Sequence, residues 1–141
     1  MDRAASSGDA EREATAFGGT EIILLAEDED MVRDLAKSTL ESAGYTVLTA
    51  VDGQEALRLF EAQGEEIDLA LLDVIMPKLG GHAVLEHIRN RGPVIPVLFC
   101  SGYSKDAIHT NFILEEGLAL IQKPYHREDL LRRVREVLGA R

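Results

Sequence analysis

Short apolar runs alternate with amphipathic stretches from Ile22 to the end of the chain. The first run, residues 22–26 (IILLA), is followed by Met31, Val32, Leu35, Ala36 and Leu40 at helical spacing, and residues 45–49 (YTVLT) open a second unit. Its helix starts at Asp52, an N-cap candidate with Glu55 three residues on, and turns Ala56, Leu57 and Phe60 inward. The third run, residues 67–72, leads to a helix over residues 81–90 with Val84, Leu85 and Ile88 toward the sheet, closed by Arg91, Gly92 and Pro93. A fourth strand over residues 94–100 precedes a short helix over residues 104–114 capped by Ser104, and Gly117 turns the chain into a fifth strand over residues 118–121. The last helix carries Leu130, Leu131, Val134, Val137 and Leu138 on one face. Such alternation predicts a parallel sheet flanked by helices.

Five β-α units of this size predict a flavodoxin-like, doubly wound five-stranded parallel sheet in the order 2-1-3-4-5, with ligands beyond the carboxyl ends of the strands. The residues with chemistry fall at those ends: Glu27 and Asp28, then Asp73, then Ser101, then Lys123 with Pro124. Carboxylates held together repel unless a cation neutralises them, so Glu27, Asp28 and Asp73 make a candidate hard-metal site, best suited to Mg²⁺. The acidic run also reads as a solvated turn capping the first helix, and the two readings are compatible because capping needs only Asp30 or a neighbour. An Asp carboxylate can attack phosphorus to give an acyl phosphate. Lys123 offers a compact positive charge, and the Ser101 hydroxyl can donate to a phosphoryl oxygen with help from the Gly102 N–H. Singly, each is ordinary: a strand-end lysine is usually a solvated charge, and a Ser-Gly pair is usually a turn.

The chain has 141 residues, room for one domain with a real core, and Met1 to Thr20 is poor in large apolar residues. Residues 1–20 are therefore expected to be a disordered tail or linker, with the domain over residues 21–141. Lys and Arg total 15 against 25 Asp and Glu, a net charge of −10, which disfavours nucleic acid and anionic membrane as partners. The single cysteine, Cys100, lies in an apolar run and reads as a buried hydrophobe. No apolar stretch is long enough to span a bilayer and no signal peptide is evident, so a cytoplasmic location is expected. His82, His87, His109 and His126 read as surface or cap residues.

Four stretches together resemble the receiver domain of two-component response regulators: AEDED from Ala26, LLDVIMPKLGG from Leu71, FCSGY from Phe99 and QKPY from Gln122. The resemblance runs from about Glu21 to the end. It implies that Asp73 is the phosphoacceptor, that Lys123 pairs with its carboxylate and then with the phosphoryl group, and that Ser101, Val74 and Gly102 contact the phosphoryl oxygens. It implies Mg²⁺ on Glu27, Asp28, Asp73 and the backbone carbonyl of Ile75, a cis peptide bond before Pro124, and a loop shaped by Pro77 and by glycines that permit unusual φ. It also implies a sensor histidine kinase or a histidine phosphotransfer protein as donor, met by helix one with Met31 and Leu35 among the candidates, and a monomer or weak homodimer acting on an unknown downstream protein.

Two departures from the family pattern stand out. Where many receivers carry an aromatic residue three positions before the lysine, this chain has Leu120, and Tyr125 is either a substitute for that aromatic or a packed loop side chain. At the positions two beyond the acceptor and two beyond the hydroxyl residue stand Ile75 and Tyr103, which offer no acid or amide to orient a hydrolytic water and whose bulk is expected to shield an acyl phosphate. With only Gly139, Ala140 and Arg141 after the last helix, the expectation is a stand-alone regulator, a phosphate relay or sink, or the C-terminal receiver of a hybrid histidine kinase. The Gly18-Gly19-Thr20 lead-in resembles the linker ahead of receivers in such kinases. The competing readings are a metal-dependent phosphohydrolase with an aspartyl-phosphate intermediate and a pseudo-receiver that never takes phosphate.

Overall fold

A computed structural model describes residues 17–91, 94–102, 113 and 116–139. The chain runs β1 (Ile22–Ala26), α1 (Asp30–Ser42), β2 (Thr46–Ala50), α2 (Gly53–Gln63), β3 (Leu69–Asp73), α3 (Gly81–Arg91), β4 (Val97–Ser101), β5 (Ala119–Gln122) and α4 (Arg127–Leu138). The expected helix over residues 104–114, together with Tyr103, His109 and residues 1–16, lies outside the described residues apart from Ile113. All strands pair in parallel, in the order β2-β1-β3-β4-β5, as predicted.

The sheet divides two cores by side-chain alternation. Leu24, Ala26, Ala70, Leu72, Val97 and Phe99 pack with Ala56 and Phe60 of α2 and Val84 and Ile88 of α3. Ile23, Leu25, Leu69, Leu71, Leu98 and Cys100 pack with Ala36 and Leu40 of α1 and Leu130 and Val134 of α4. β1 is apolar throughout, and β3 and β4 are apolar up to their last residues, Asp73 and Ser101, because both faces are covered. Asp52 caps α2 as expected, accepting from the Glu55 N–H at 2.8 Å.

Four expectations need correction. β4 starts at Val97 rather than at residue 94: Pro96 has no N–H to give a ladder, its carbonyl accepts from Ala70, and Val94 is 96% exposed. On α1, Met31 and Leu35 face water, at 86% and 65% exposure, so the apolar stripe is wider than the buried face. The chain joins the domain before Glu21. Phe17 packs on the α1/α4 core, its carbonyl accepts from the Tyr45 hydroxyl at 3.0 Å, and the Gly19 N–H donates to Ala43 at 3.2 Å. Finally, neither Gly80 nor Gly81 has positive φ, and the left-handed residue of that loop is Lys78, at φ 70°. Gly81 is needed for close approach instead, since a Cβ there would sit 2.6 Å from the Asp73 carbonyl.

Candidate functional site

Strand register alone brings the polar residues level. Ala26 pairs with Leu72 and Asp73 with Cys100, so Glu27 and Asp73 leave adjacent strands at the same height; Ser101 pairs with Gln122, which puts Lys123 next. Glu27 and Asp73 are 2% and 5% exposed, and Ser101 is buried. Lys123 Nζ donates to Glu27 Oε1 at 2.9 Å and to Asp73 Oδ2 at 3.2 Å. The other Glu27 oxygen accepts from the Glu29 N–H at 3.0 Å. Asp28 is exposed at the rim, and carboxylate oxygens of Glu27, Asp28 and Asp73 come within 4.8 Å of one another.

One ammonium thus serves two buried carboxylates. Burial, reinforced by the Glu27 charge, pushes the Asp73 carboxyl up to about 7 against the pull of Lys123. Burial works against the Lys123 charge too, but the Glu27 hydrogen bond and the Asp73 charge outweigh it and raise the ammonium above its usual range. The pocket is short of positive charge. An all-oxygen donor set of three carboxylates, one at the solvent rim, fits a hard divalent cation that keeps part of its water. The Lys123 N–H donates to the Ser101 carbonyl at 2.7 Å, fixing the base of the lysine, and the Lys123–Pro124 bond is cis.

The surrounding loops explain why these groups hold still. The Val74 N–H donates to the Cys100 carbonyl at 3.0 Å and its side chain is buried, so Val74 is committed to the sheet rather than open to a phosphoryl oxygen. That departs from the expectation for Val74. Ile75 is partly exposed at the mouth, Pro77 is exposed, and Gly102 follows Ser101 at intermediate depth. Leu120 lies on β5, partly buried against the α2/α3 core. Tyr125 packs on the α1/α4 core, and burial pushes its hydroxyl up; of its two readings the structure favours the packed loop side chain.

Two residues escaped the sequence reading. Arg33, one turn into α1, donates to the Glu27 carbonyl at 2.9 Å and to Asp30 at 2.5 Å, bracing the acidic loop from behind. Its spacing from Asp30 was the available signal. Lys78 reaches Asp52 at 3.6 Å and so ties the loop after β3 to the cap of α2. His82 and His87 are exposed on α3, and exposed His126 precedes α4 as its N-cap, consistent with surface or cap roles.

A doubly wound parallel sheet with an acid pocket and a lysine at its carboxyl edge defines a class of domain. The family model for the response regulator receiver domain matches residues 23–135, and the chain belongs to that family. Receiver domains are phosphoacceptor signalling modules of two-component systems. The chain is 38% identical to the sensor kinase CckA of Brucella abortus over 89% of its own length and 13% of that protein's. It is also 38% identical to the transcriptional regulatory protein YrkP of Bacillus subtilis, over 79% of this chain and 47% of that one. The chain therefore spans less than half the length of these curated relatives. Among solved structures, a receiver domain from Clostridium thermocellum superposes with a TM-score of 0.77 at 30% identity, covering 85% of this chain and 95% of that one. The receiver domain of the hybrid histidine kinase CckA gives 0.69 at 37% identity, covering 83% and 98%. No helix among the described residues is long and apolar enough to cross a membrane.

Proposed function

We propose that this receiver domain is a phosphorylation-controlled switch that takes a phosphoryl group from a phosphohistidine onto Asp73 in the presence of Mg²⁺. The observation that carries the reading is the shared lysine, with Nζ 2.9 Å from Glu27 and 3.2 Å from Asp73 beside a third carboxylate. In the transfer, an Asp73 oxygen forms a bond to phosphorus while the N–P bond of the donor breaks and its electron pair leaves with the imidazole nitrogen. Lys123 moves its ammonium from the acceptor carboxylate to a phosphoryl oxygen, Ser101 donates its hydroxyl to another, and the Gly102 N–H assists. Glu27, Asp28, Asp73 and the Ile75 carbonyl would hold Mg²⁺, which would supply positive charge against the phosphoryl oxygens.

The donor is a sensor histidine kinase or a histidine phosphotransfer protein. Met31 and Leu35 stand exposed on α1, beside a cavity of about 220 Å³ at the edge of the site, lined by Val32, Leu35, Pro124 and Tyr125 together with Glu29 and Lys123. An apolar collar next to a charged pocket suits a helical partner that must bring its histidine to Asp73. Phosphorylation biases an existing equilibrium of surfaces rather than building a new fold. Because Leu120 replaces the usual aromatic, the readout at β5 runs without a ring turning inward, and Ile75 and Tyr103 lengthen the life of the acyl phosphate. The similarity to CckA supports an origin as a receiver of a hybrid kinase, acting in the cytoplasm.

Intact mass after incubation with acetyl phosphate tests the proposal. One added phosphoryl group requiring both Mg²⁺ and Asp73 is the expected result. Absence of an adduct in every condition would mean a pseudo-receiver, and steady phosphate release without an adduct would mean a hydrolase.

A further inference from the structure

A second donor cluster lies on the surface of α3 and shares no residue with the Asp73 pocket. His82 and Glu86 occupy positions i and i+4 of α3, and Glu116 joins them from the turn before β5, with donor atoms of all three within 4.8 Å of one another. The set is mixed in chemistry, an imidazole nitrogen with two carboxylates. His82 Nε2 and Glu86 Oε1 are 3.4 Å apart. That is the edge of a tetrahedron built on metal–ligand bonds of about 2.0–2.1 Å.

The present counter-ion of the two acids is Arg89, whose guanidinium lies 2.7 Å from Glu116 and 3.8 Å from Glu86. All three partners of that contact are partly exposed, so the guanidinium can leave for water at little cost. A divalent cation in its place would carry more charge and would take the imidazole as a third ligand.

We propose that His82, Glu86 and Glu116 form a second metal site, independent of the phosphoacceptor pocket, that takes Zn²⁺. The imidazole selects a borderline-soft ion, whereas the all-oxygen pocket at Asp73 suits Mg²⁺. Three protein ligands leave a fourth position to water. Occupancy fastens α3 to the turn that starts β5, the strand that delivers Lys123, and so gives the domain an input separate from phosphorylation.

The test is calorimetric titration of the full chain with Zn²⁺ under saturating Mg²⁺, with the imidazole NMR signals of His82 followed in parallel. One ion is expected to bind at micromolar concentration and to move the His82 signals. His82→Ala and Glu116→Gln should each weaken it by about tenfold or more, since losing even a supporting partner of a ligand costs that much. Arg89→Gln should tighten it, and His87→Ala should leave it unchanged. Binding that survives His82→Ala, that is lost equally in His87→Ala, or that needs millimolar zinc would overturn the site.

Discussion

The two ends of the sheet solve the same problem of placing charge in opposite ways. At the amino edge, Arg135 in the last turn of α4 meets Glu21 through two hydrogen bonds of 3.2 and 2.7 Å and also donates to the Gly18 carbonyl. One cation faces one anion, and the Arg135 guanidinium holds the Glu21 carboxyl below its usual range. Around it, Arg132 lies over the Phe17 ring at 5.9 Å and Tyr45 holds the Phe17 carbonyl. At the carboxyl edge one cation faces two buried acids, with a third at the rim, and Asp73 is pushed up to about 7. A balanced cluster is a lock, while an unbalanced one is a seat for something that brings positive charge.

The largest effect should come from removing the ammonium of Lys123, which pairs with both buried acids at the crowded edge. Lys123→Ala leaves two buried carboxylates facing each other, and metal-free protein should lose about 3 kcal/mol in urea unfolding at pH 8. Its uptake of phosphoryl from acetyl phosphate should fall by about a hundredfold, the usual loss of one well-placed donor to a charged transition state.

Next in size is Asp73→Asn, which removes the charge in excess. In the unfolded chain Asp73 ionises near its ordinary value, but in the folded, metal-free protein it does so near 7. Between about pH 4 and 7 the folded state holds the extra proton, so this group's contribution to stability falls as pH rises. Asp73→Asn should therefore gain about 1–2 kcal/mol at pH 8 in EDTA and lose the advantage by pH 4. A variant no more stable than the native chain at pH 8 would show that the Asp73 charge is not in excess.

The balanced edge should answer more weakly and with the opposite sign. Glu21 has a depressed folded value, so its pairing stabilises above the unfolded value and is lost as pH falls through the folded one. Arg135→Met should cost about 1 kcal/mol at pH 7, less at pH 3, and leave phosphoryl uptake unchanged. Urea midpoints at the two pH values, with acetyl phosphate labelling alongside, separate the two edges.

How much of this the sequence discloses follows the same division. β1 and β3 are legible because strands covered on both faces must be apolar, and Asp73 is legible because it ends such a run, while Lys123 follows the shorter apolar run of the edge strand β5. What hides is what depends on partners distant in the chain. Composition assigns residues 17–20 to the tail, yet Tyr45 and Arg135 hold them in place. Helical spacing groups Leu35 with Ala36 although only one faces the sheet. Val74 sits beside the acceptor in sequence, but β4 claims its N–H. Arg33 is spaced to meet Asp30, but its second contact, to the Glu27 backbone carbonyl, is not encoded by that spacing.

The surplus of acid at Glu27, Asp28 and Asp73 is proposed to be what binds a divalent cation. Calorimetric titration with Mg²⁺ at pH 7.5 on the native chain, Asp73→Asn and Arg135→Met tests it directly. One ion should bind the native chain, about tenfold or more weakly to Asp73→Asn, and unchanged to Arg135→Met. Equal binding by the native chain and Asp73→Asn, or an equal loss in both variants, would contradict it.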